Sequence, residues 1–385
     1  MKIVYVYPKF TTLAGTERVL IDKMNYLANQ EDIDVMVVTH EQGQHPFVFP
    51  LSCKVTHVDL DVRFFTLYRY NIFVRIFKSW KYNNLLVERF NNLMSETRPD
   101  IVITTTYQSY IVSMINSCPI PFKKVLESHI DKRYIHCNDS SNLVRWKKLL
   151  HSFYDMHMLI SKAKRFDILV TLNQSDSDDW GKYVKTKIIS NIAHLNSTGL
   201  FSELKSNHVI FAGRYTYQKG IPDLFKIWEI VYERHPDWHL DLYGDGNIQE
   251  ISCSEDVRLQ KNIHVHQPDS NIFERYLESS VFVLTSLYEP FGLVMPEAMS
   301  CGLPVVAFDC PSGPANIISD GVDGYLIKNR DIDEFAEKLC QLIESSQLRQ
   351  EMGKAAILSS QRYSTEKVMP QWIRLFQELI VPSQS

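Results

Sequence analysis

The feature that most constrains this chain is an alternation that runs twice. Short runs rich in Val, Ile and other strand formers are each followed by a longer stretch with apolar residues at helical spacing, and near residue 208 the pattern starts again. Ile3 to Tyr7 reads as a buried strand, Pro8 to Gly15 as a loop, and Thr16 to about Asn29 as a helix whose Val19, Leu20, Met24 and Leu27 share one face. Asp34 to Thr39, Ile101 to Thr105, Lys124 to Glu127 and Ile168 to Leu172 read as further strands. In the second half, strands are expected at His208 to Ala212, Leu240 to Tyr243, Ile263 to Val265, Val281 to Thr285, Pro304 to Phe308 and Gly324 to Ile327. Helices are expected at Ile221 to Arg234, Met295 to Cys301, Ile332 to Ser345 and Thr365 to Ile380. Such alternation builds βαβ units on a mostly parallel sheet. The fold class is therefore α/β, with Rossmann-like domains over 1–195 and 200–364. Between them lies a linker around 192–206, where Asn196, Ser197, Thr198 and Gly199 cluster. A C-terminal helix within 365–385 can complete the first domain. Parallel sheets bind ligands at the carboxyl ends of their strands, so two such sheets are expected to face each other across a cleft.

Bulk properties narrow the function. The 385 residues suit two domains of about 150–200 residues each. No apolar run reaches the ~18 residues a bilayer span needs, and the N-terminal Met-Lys-Ile-Val-Tyr-Val-Tyr has the pattern of a strand rather than a secretion signal. Seven cysteines without a Cys-x-x-Cys pair point to reduced thiols and a cytoplasmic location, not to a disulfide framework or zinc site. No histidine group has metal spacing. The net charge of −4 divides unevenly, about +6 over residues 1–200 and −10 over 201–385. That asymmetry suits two domains with different partners, the basic one facing an anionic surface or substrate. Nothing in the pattern calls for nucleic acid as a partner.

The richest segment runs from Ser286 to Ala307, Ser-Leu-Tyr-Glu-Pro-Phe-Gly-Leu-Val-Met-Pro-Glu-Ala-Met-Ser-Cys-Gly-Leu-Pro-Val-Val-Ala. A buried strand ends at Thr285, a polar turn carries Glu289 and Gly292, and a helix begins near Val294. Backbone N–H groups at a helix start suit a diphosphate, which makes Phe291, Gly292, Leu293 and Val294 a candidate donor-binding segment. Gly292 permits close backbone approach. Glu297, one turn into the helix, could accept hydrogen bonds from ribose hydroxyls, and Glu289 from sugar hydroxyls. The second segment is Phe211-Ala-Gly-Arg-Tyr-Thr-Tyr-Gln-Lys-Gly220, a strand running into a loop at Gly213 with Arg214 and Lys219 before a helix. Two cations there also suit a diphosphate. The third is Leu13-Ala-Gly-Thr-Glu-Arg18, with Gly15 at a loop–helix junction. The fourth is Val125-Leu-Glu-Ser-His-Ile130, which sets His129 just past a strand end.

Together these segments resemble the retaining GT-B glycosyltransferases of the family four type, many of which build bacterial surface or lipid-linked glycans. The spacing of Glu289 and Glu297 looks like the family signature. By resemblance, Glu289 contacts the donor sugar, Glu297 the ribose, Arg214 and Lys219 the leaving diphosphate, Gly15 the sugar and phosphate through its backbone, and His129 the sugar near the reacting carbon. Ala14 replaces the first glycine of the family's pair. The implied reaction moves a hexose or N-acetylhexosamine from a nucleotide-sugar, by family habit a UDP-sugar, to a glycan or polyprenyl-diphosphate-linked acceptor. The expected cofactor is none and the expected metal none. Asp59-Leu-Asp61 and Asp331-Ile-Asp333 read as charged caps or turns. A nucleotide-sugar epimerase and a catalytically silent nucleotide-sugar-binding scaffold share the fold. A dinucleotide oxidoreductase is disfavoured, because Gly244-Asp-Gly246 lacks a third glycine.

Residues 62–90 carry nine aromatics and six Lys/Arg against one acid, Glu88, and 132–165 add eight more basic residues. Such stretches suit an anionic membrane surface and a peripheral place on the inner face of the cytoplasmic membrane. They equally suit a long helix whose aromatics pack on a sheet.

Overall fold

The central strands that the hydrophobic runs mark, such as Ile101–Thr105, Val281–Leu284 and Val305–Phe308, are buried on both faces, the condition of a parallel sheet covered by helices on each side. The structure, a computed structural model, describes residues 1–130, 132, 145–248 and 261–381, and only the backbone over 145–153. It divides into two compact units, Met1–Ser190 with Met369–Ser385, and Asn191–Val368.

The first unit holds a seven-stranded sheet in the order β3-β2-β1-β4-β5-β6-β7. The strands are β1 (Lys2–Val6), β2 (Asp34–Thr39), β3 (Thr56–Asp59), β4 (Ile101–Thr105), β5 (Lys123–Glu127), β6 (Ile168–Thr171) and β7 (Thr186–Ile188). Every recorded pairing is parallel. Helices α1 (Gly15–Leu27), α2 (Ile72–Thr97), α3 (Ser109–Ser117), α4 (Arg145–Ala163) and α5 (Gln174–Gly181) connect the strands. Val4, Val102, Leu126 and Leu169 meet Phe90, Met94, Ile115 and Trp180 in one buried cluster. Of the 26 residues of α2, only Leu86, Phe90 and Met94 are buried, one apolar stripe confined to its second half.

The second unit holds a six-stranded sheet in the order β10-β9-β8-β11-β12-β13. Its strands are β8 (His208–Ala212), β9 (His239–Tyr243), β10 (Ile263–His266), β11 (Val281–Leu284), β12 (Val305–Phe308) and β13 (Gly324–Ile327), again parallel. Its helices are α6 (Ile221–Arg234), α7 (Ile272–Leu277), α8 (Val294–Ser300), α9 (Pro314–Ile317), α10 (Ile332–Glu344) and α11 (Ser346–Ser360). The last helix, α12 (Thr365–Ile380), contains Pro370, and from Met369 onward it belongs to the first unit. There Trp372, Leu375 and Phe376 are buried.

The strand order reverses within each sheet, between β1 and β4 in one and between β8 and β11 in the other. At such a reversal two loops leave neighbouring strands to opposite sides and open a crevice beyond the strand ends. Asp331 is a charged cap, its carboxylate accepting from the Glu334 N–H at 3.0 Å. Asp59 ties a turn, accepting from the Gly43 N–H at 2.5 Å.

Candidate active site

In the second unit, β8 and β11 are adjacent and parallel, so the loops after them meet at the reversal point. Gly213 and Arg214 follow β8, and Lys219 ends the loop in a short 3-10 turn, Tyr217–Lys219. Ser286 to Leu293 follow β11 and lead into α8. The two loops are bonded to each other. Leu287 N–H donates to Gln218 O at 2.7 Å, Gln218 Nε2 to Tyr288 O at 3.1 Å, and Thr285 Oγ1 to Lys219 O at 3.0 Å. Gly220 is left-handed at φ 64°, and a Cβ there would lie 2.1 Å from Thr285 O. Only glycine lets the two loops approach this closely.

Within that frame Lys219 Nζ donates to Glu289 Oε2 in an almost buried ion pair, with side-chain exposures of 12% and 9%. Ser286 Oγ donates to the same carboxylate oxygen at 3.1 Å. A buried pair is costly unless its remaining valences are satisfied; here the second donor fixes the carboxylate. Gly292, at φ 85°, lies under Glu289: a Cβ there would be 2.9 Å from Glu289 Cγ and 2.6 Å from Met295 Cε. Glu297 is buried in the first turn of α8. Arg214 is exposed at the start of the β8 loop and forms no ion pair among the described residues. Leu293 and Val294 are half-buried at the start of α8. Phe291 turns inward, edge-on to Tyr363 at 5.2 Å, so only its backbone is offered to a ligand. Helix α8 has seven residues, about two turns, and its dipole is correspondingly small. The side-chain cations, rather than the helix end, carry the positive charge here.

The sequence reading did not single out Arg330. Its guanidinium donates to Thr285 O at 2.8 Å, Ser286 O at 2.9 Å and Asp223 Oδ2 at 2.8 Å, and stacks on Phe308. It anchors the Ser286 loop to α6 from a left-handed backbone at φ 67°. An isolated Asn-Arg-Asp triplet gives no sequence cue to that role.

In the first unit, Gly15 is exposed as the first residue of α1. Glu17 folds back on the preceding loop and accepts from Thr12 N–H at 2.9 Å and Thr12 Oγ1 at 2.7 Å. Burial raises its pKa although those hydrogen bonds oppose the rise. Thr16 Oγ1 lies 3.1 Å from the Tyr107 hydroxyl, which joins the loops after β1 and β4 at this sheet's reversal point. One strand further on, His129 is buried beyond β5, with Nε2 2.8 Å from Glu127 Oε2. Its Nδ1 has no hydrogen-bond partner among the described residues.

Glu127 also takes both its oxygens to Lys23 Nζ, each at 2.6 Å, and Lys23 sits 3.6 Å over the Trp372 ring. Burial pushes the Glu127 carboxyl up, but Lys23 and His129 pull it below its ordinary value. Glu127 is therefore an anion, and it holds the His129 ring by Nε2–H. Lys23 was legible in one respect: it falls at helical spacing between Leu20 and Leu27, a charge inside an apolar stripe, which calls for a buried partner.

Among the described residues no helix is long and apolar enough to cross a membrane, and no group of three or more His, Cys, Asp or Glu is placed to hold a metal ion. Of the expected basic stretch 132–165, residues 133–144 and the side chains of 145–153 lie outside the described residues. Lys132 donates to Asp179 O and lies over Tyr183, Lys162 donates to Ser109, and Arg165 to Asn116 O, all within the unit.

The fold is that of the GT-B glycosyltransferases, a pair of Rossmann-like parallel-sheet units, each with loops meeting at a strand-order reversal. Residues 197–359 match the model of the family described as glycosyl transferases group 1. Over 377 residues the chain is 26% identical to the amylovoran biosynthesis glycosyltransferase AmsD of Erwinia amylovora, covering 96% of this chain and 98% of that one. It is 30% identical over 224 residues to a poly(ribitol-phosphate) alpha-N-acetylglucosaminyltransferase of Staphylococcus aureus, covering 57% of this chain and 43% of that one. The fold matches a crystal structure of a mutant of S. aureus TarM in complex with Fondaparinux, alpha-GlcNAc-glycerol and UDP. The TM-score is 0.76 at 16% identity, over 97% of this chain and 99% of that one.

Proposed function

We propose that this chain is a retaining transferase that moves a hexose or N-acetylhexosamine from a UDP-sugar to a glycan or polyprenyl-diphosphate-linked acceptor in polysaccharide assembly. The observation that carries the reading is the Lys219–Glu289 pair, set between two loops at the β8/β11 reversal with Gly292 beneath it. The relatives support the setting. One is named for amylovoran biosynthesis, another for adding N-acetylglucosamine to poly(ribitol-phosphate), and the TarM structure contains UDP.

In this reading Lys219 and Arg214 neutralise the departing diphosphate, helped by backbone N–H groups of Gly213 and of the Phe291–Val294 segment. Lys219 answers to two anions, and Glu289, released in part as the diphosphate engages Lys219, accepts from donor-sugar hydroxyls. Glu297 accepts from the ribose. Gly15 gives the sugar and phosphate close backbone access, and His129 contacts the sugar near the anomeric carbon. The bond from that carbon to the diphosphate oxygen breaks, and the acceptor oxygen bonds to the same face. The acceptor's proton passes to the leaving phosphate oxygen, so the balance closes with UDP and glycoside and without a side-chain nucleophile. Two cations supply the leaving-group charge, so the proposal includes no metal and no cofactor.

The experiment is a panel of nucleotide-sugars screened for thermal stabilisation, then product analysis with the best one in the presence of EDTA. An α-configured donor giving an α-linked product supports the reading. Inversion at the anomeric carbon would overturn retention, and donor turnover independent of acceptor would favour an epimerase. Loss of transfer under EDTA would overturn the metal-free step.

A further inference from the structure

The first half of α2 stands clear of the core, and from the turn before it the core takes only Leu67 and part of Phe64. Of the twenty large hydrophobic side chains exposed in the described chain, nine lie between Phe65 and Trp80. Phe73 is 82% exposed and Trp80 63%, values at which an aromatic keeps only a minor part of the benefit of burial. The helix is nevertheless well formed there, with Asn71 as its cap accepting from Val74 N–H at 3.1 Å.

The side chains are sorted by sign. At about 100° per residue, Ile72, Ile76, Trp80, Phe73 and Phe77 fall within an arc of about 140°. Arg75, Lys78 and Lys81 occupy the opposite arc, where Val74 is the only apolar residue. No acid occurs between Asp61 and Glu88. Arg75 and Lys78 reach back over the rings of Tyr68 and Tyr70, at 4.6 and 4.1 Å, so the turn Phe64–Arg69 and the helix form one surface. An aromatic face backed by a wholly basic one is the pattern of a helix lying in the headgroup layer of a bilayer.

We propose that the exposed side chains of Phe65–Lys81 form a docking surface for an anionic lipid bilayer, with the Phe73, Phe77 and Trp80 side chains inserted at the headgroup–acyl boundary and Arg75, Lys78 and Lys81 on the lipid phosphates. The inference goes beyond the transfer reading and does not depend on it. Its measurement needs no substrate, so the two can fail separately.

The test is co-sedimentation of the full chain with vesicles of phosphatidylglycerol and phosphatidylcholine, against phosphatidylcholine alone. Binding to the anionic vesicles is expected, weakened but retained at high salt. Phe73→Ser with Phe77→Ser and Trp80→Ser should lower it at least about tenfold. Neutralisation of Arg75, Lys78 and Lys81 to Gln should lower it about a hundredfold, at roughly fivefold per charge. These positions are outside the core, so thermal melting should be unchanged. Should the triple variants fail to fold, the conservative Trp80→Phe serves: brominated lipid should quench the parent's fluorescence more than the variant's. Failure to sediment with anionic vesicles would overturn the proposal, as would aromatic variants that bind like the parent. A lipid-free dimer that the aromatic variant abolishes would overturn it too, assigning the face to a second copy.

Discussion

At the scale of single residues, two buried ion pairs do different work. Lys219–Glu289 sits where the proposed diphosphate arrives, so its lysine has a second anion to serve. Replacing Lys219 by Ala should lower kcat by about a hundredfold to a thousandfold, the range for removing one transition-state donor, with a smaller change in KM. Steady-state kinetics and a melting curve together check that the loss is chemical. Lys23–Glu127 has no such second partner; it holds His129. The Glu127 carboxyl titrates below its ordinary value of 4.5 in the folded chain. Its contribution to stability is therefore present above that value and lost as the pH falls through the depressed one. Urea unfolding should show a stability loss setting in below about pH 4.5 that Glu127→Gln does not share. At neutral pH that variant should cost about 3–5 kcal/mol, because it leaves Lys23 buried without a counter-charge.

At the scale of elements, the site depends on loops that touch through backbone. Gly220→Ala puts a Cβ into Thr285 O and forces a left-handed alanine. It should destabilise the second unit by at least about 1–2 kcal/mol and raise the KM for donor, measurable by melting and by donor titration. The strands that carry these loops were legible because both faces are apolar. The short edge strands β3 and β7 were not, since partly exposed runs such as Thr56–Asp59 and Thr186–Ile188 lack the apolar signal. Helix α11 was also missed. Its buried face is built from Arg349, Met352, Gly353, Ala356 and Ser360, so there is no apolar stripe to read. Arg349 is buried because its guanidinium reaches the carbonyl oxygens of Leu204, Leu342 and Ile343, partners far apart in sequence or around a turn.

At the scale of the whole molecule, the last helix ties the chain's end to its first unit. Trp372 packs beside Phe376 and under the Lys23 ammonium. Trp372→Ala should lower the stability of the first unit by about 3–5 kcal/mol, seen in urea unfolding as a lower midpoint for the Met1–Ser190 transition. The sequence by itself determined the two parallel-sheet units, the loops that bear Arg214, Lys219, Glu289, Gly292 and Glu297, and the resemblance to the GT-B glycosyltransferases, because apolar periodicity and local motifs are properties of contiguous residues. Only the tertiary structure decided which charges meet. Lys23 with Glu127, Lys219 with Glu289 and Arg330 with Asp223 are each joined across tens of residues by the packing of elements distant in sequence. It also decided the fate of the aromatics near residue 75, since spacing along a helix sorts side chains onto faces but does not say what, if anything, covers them.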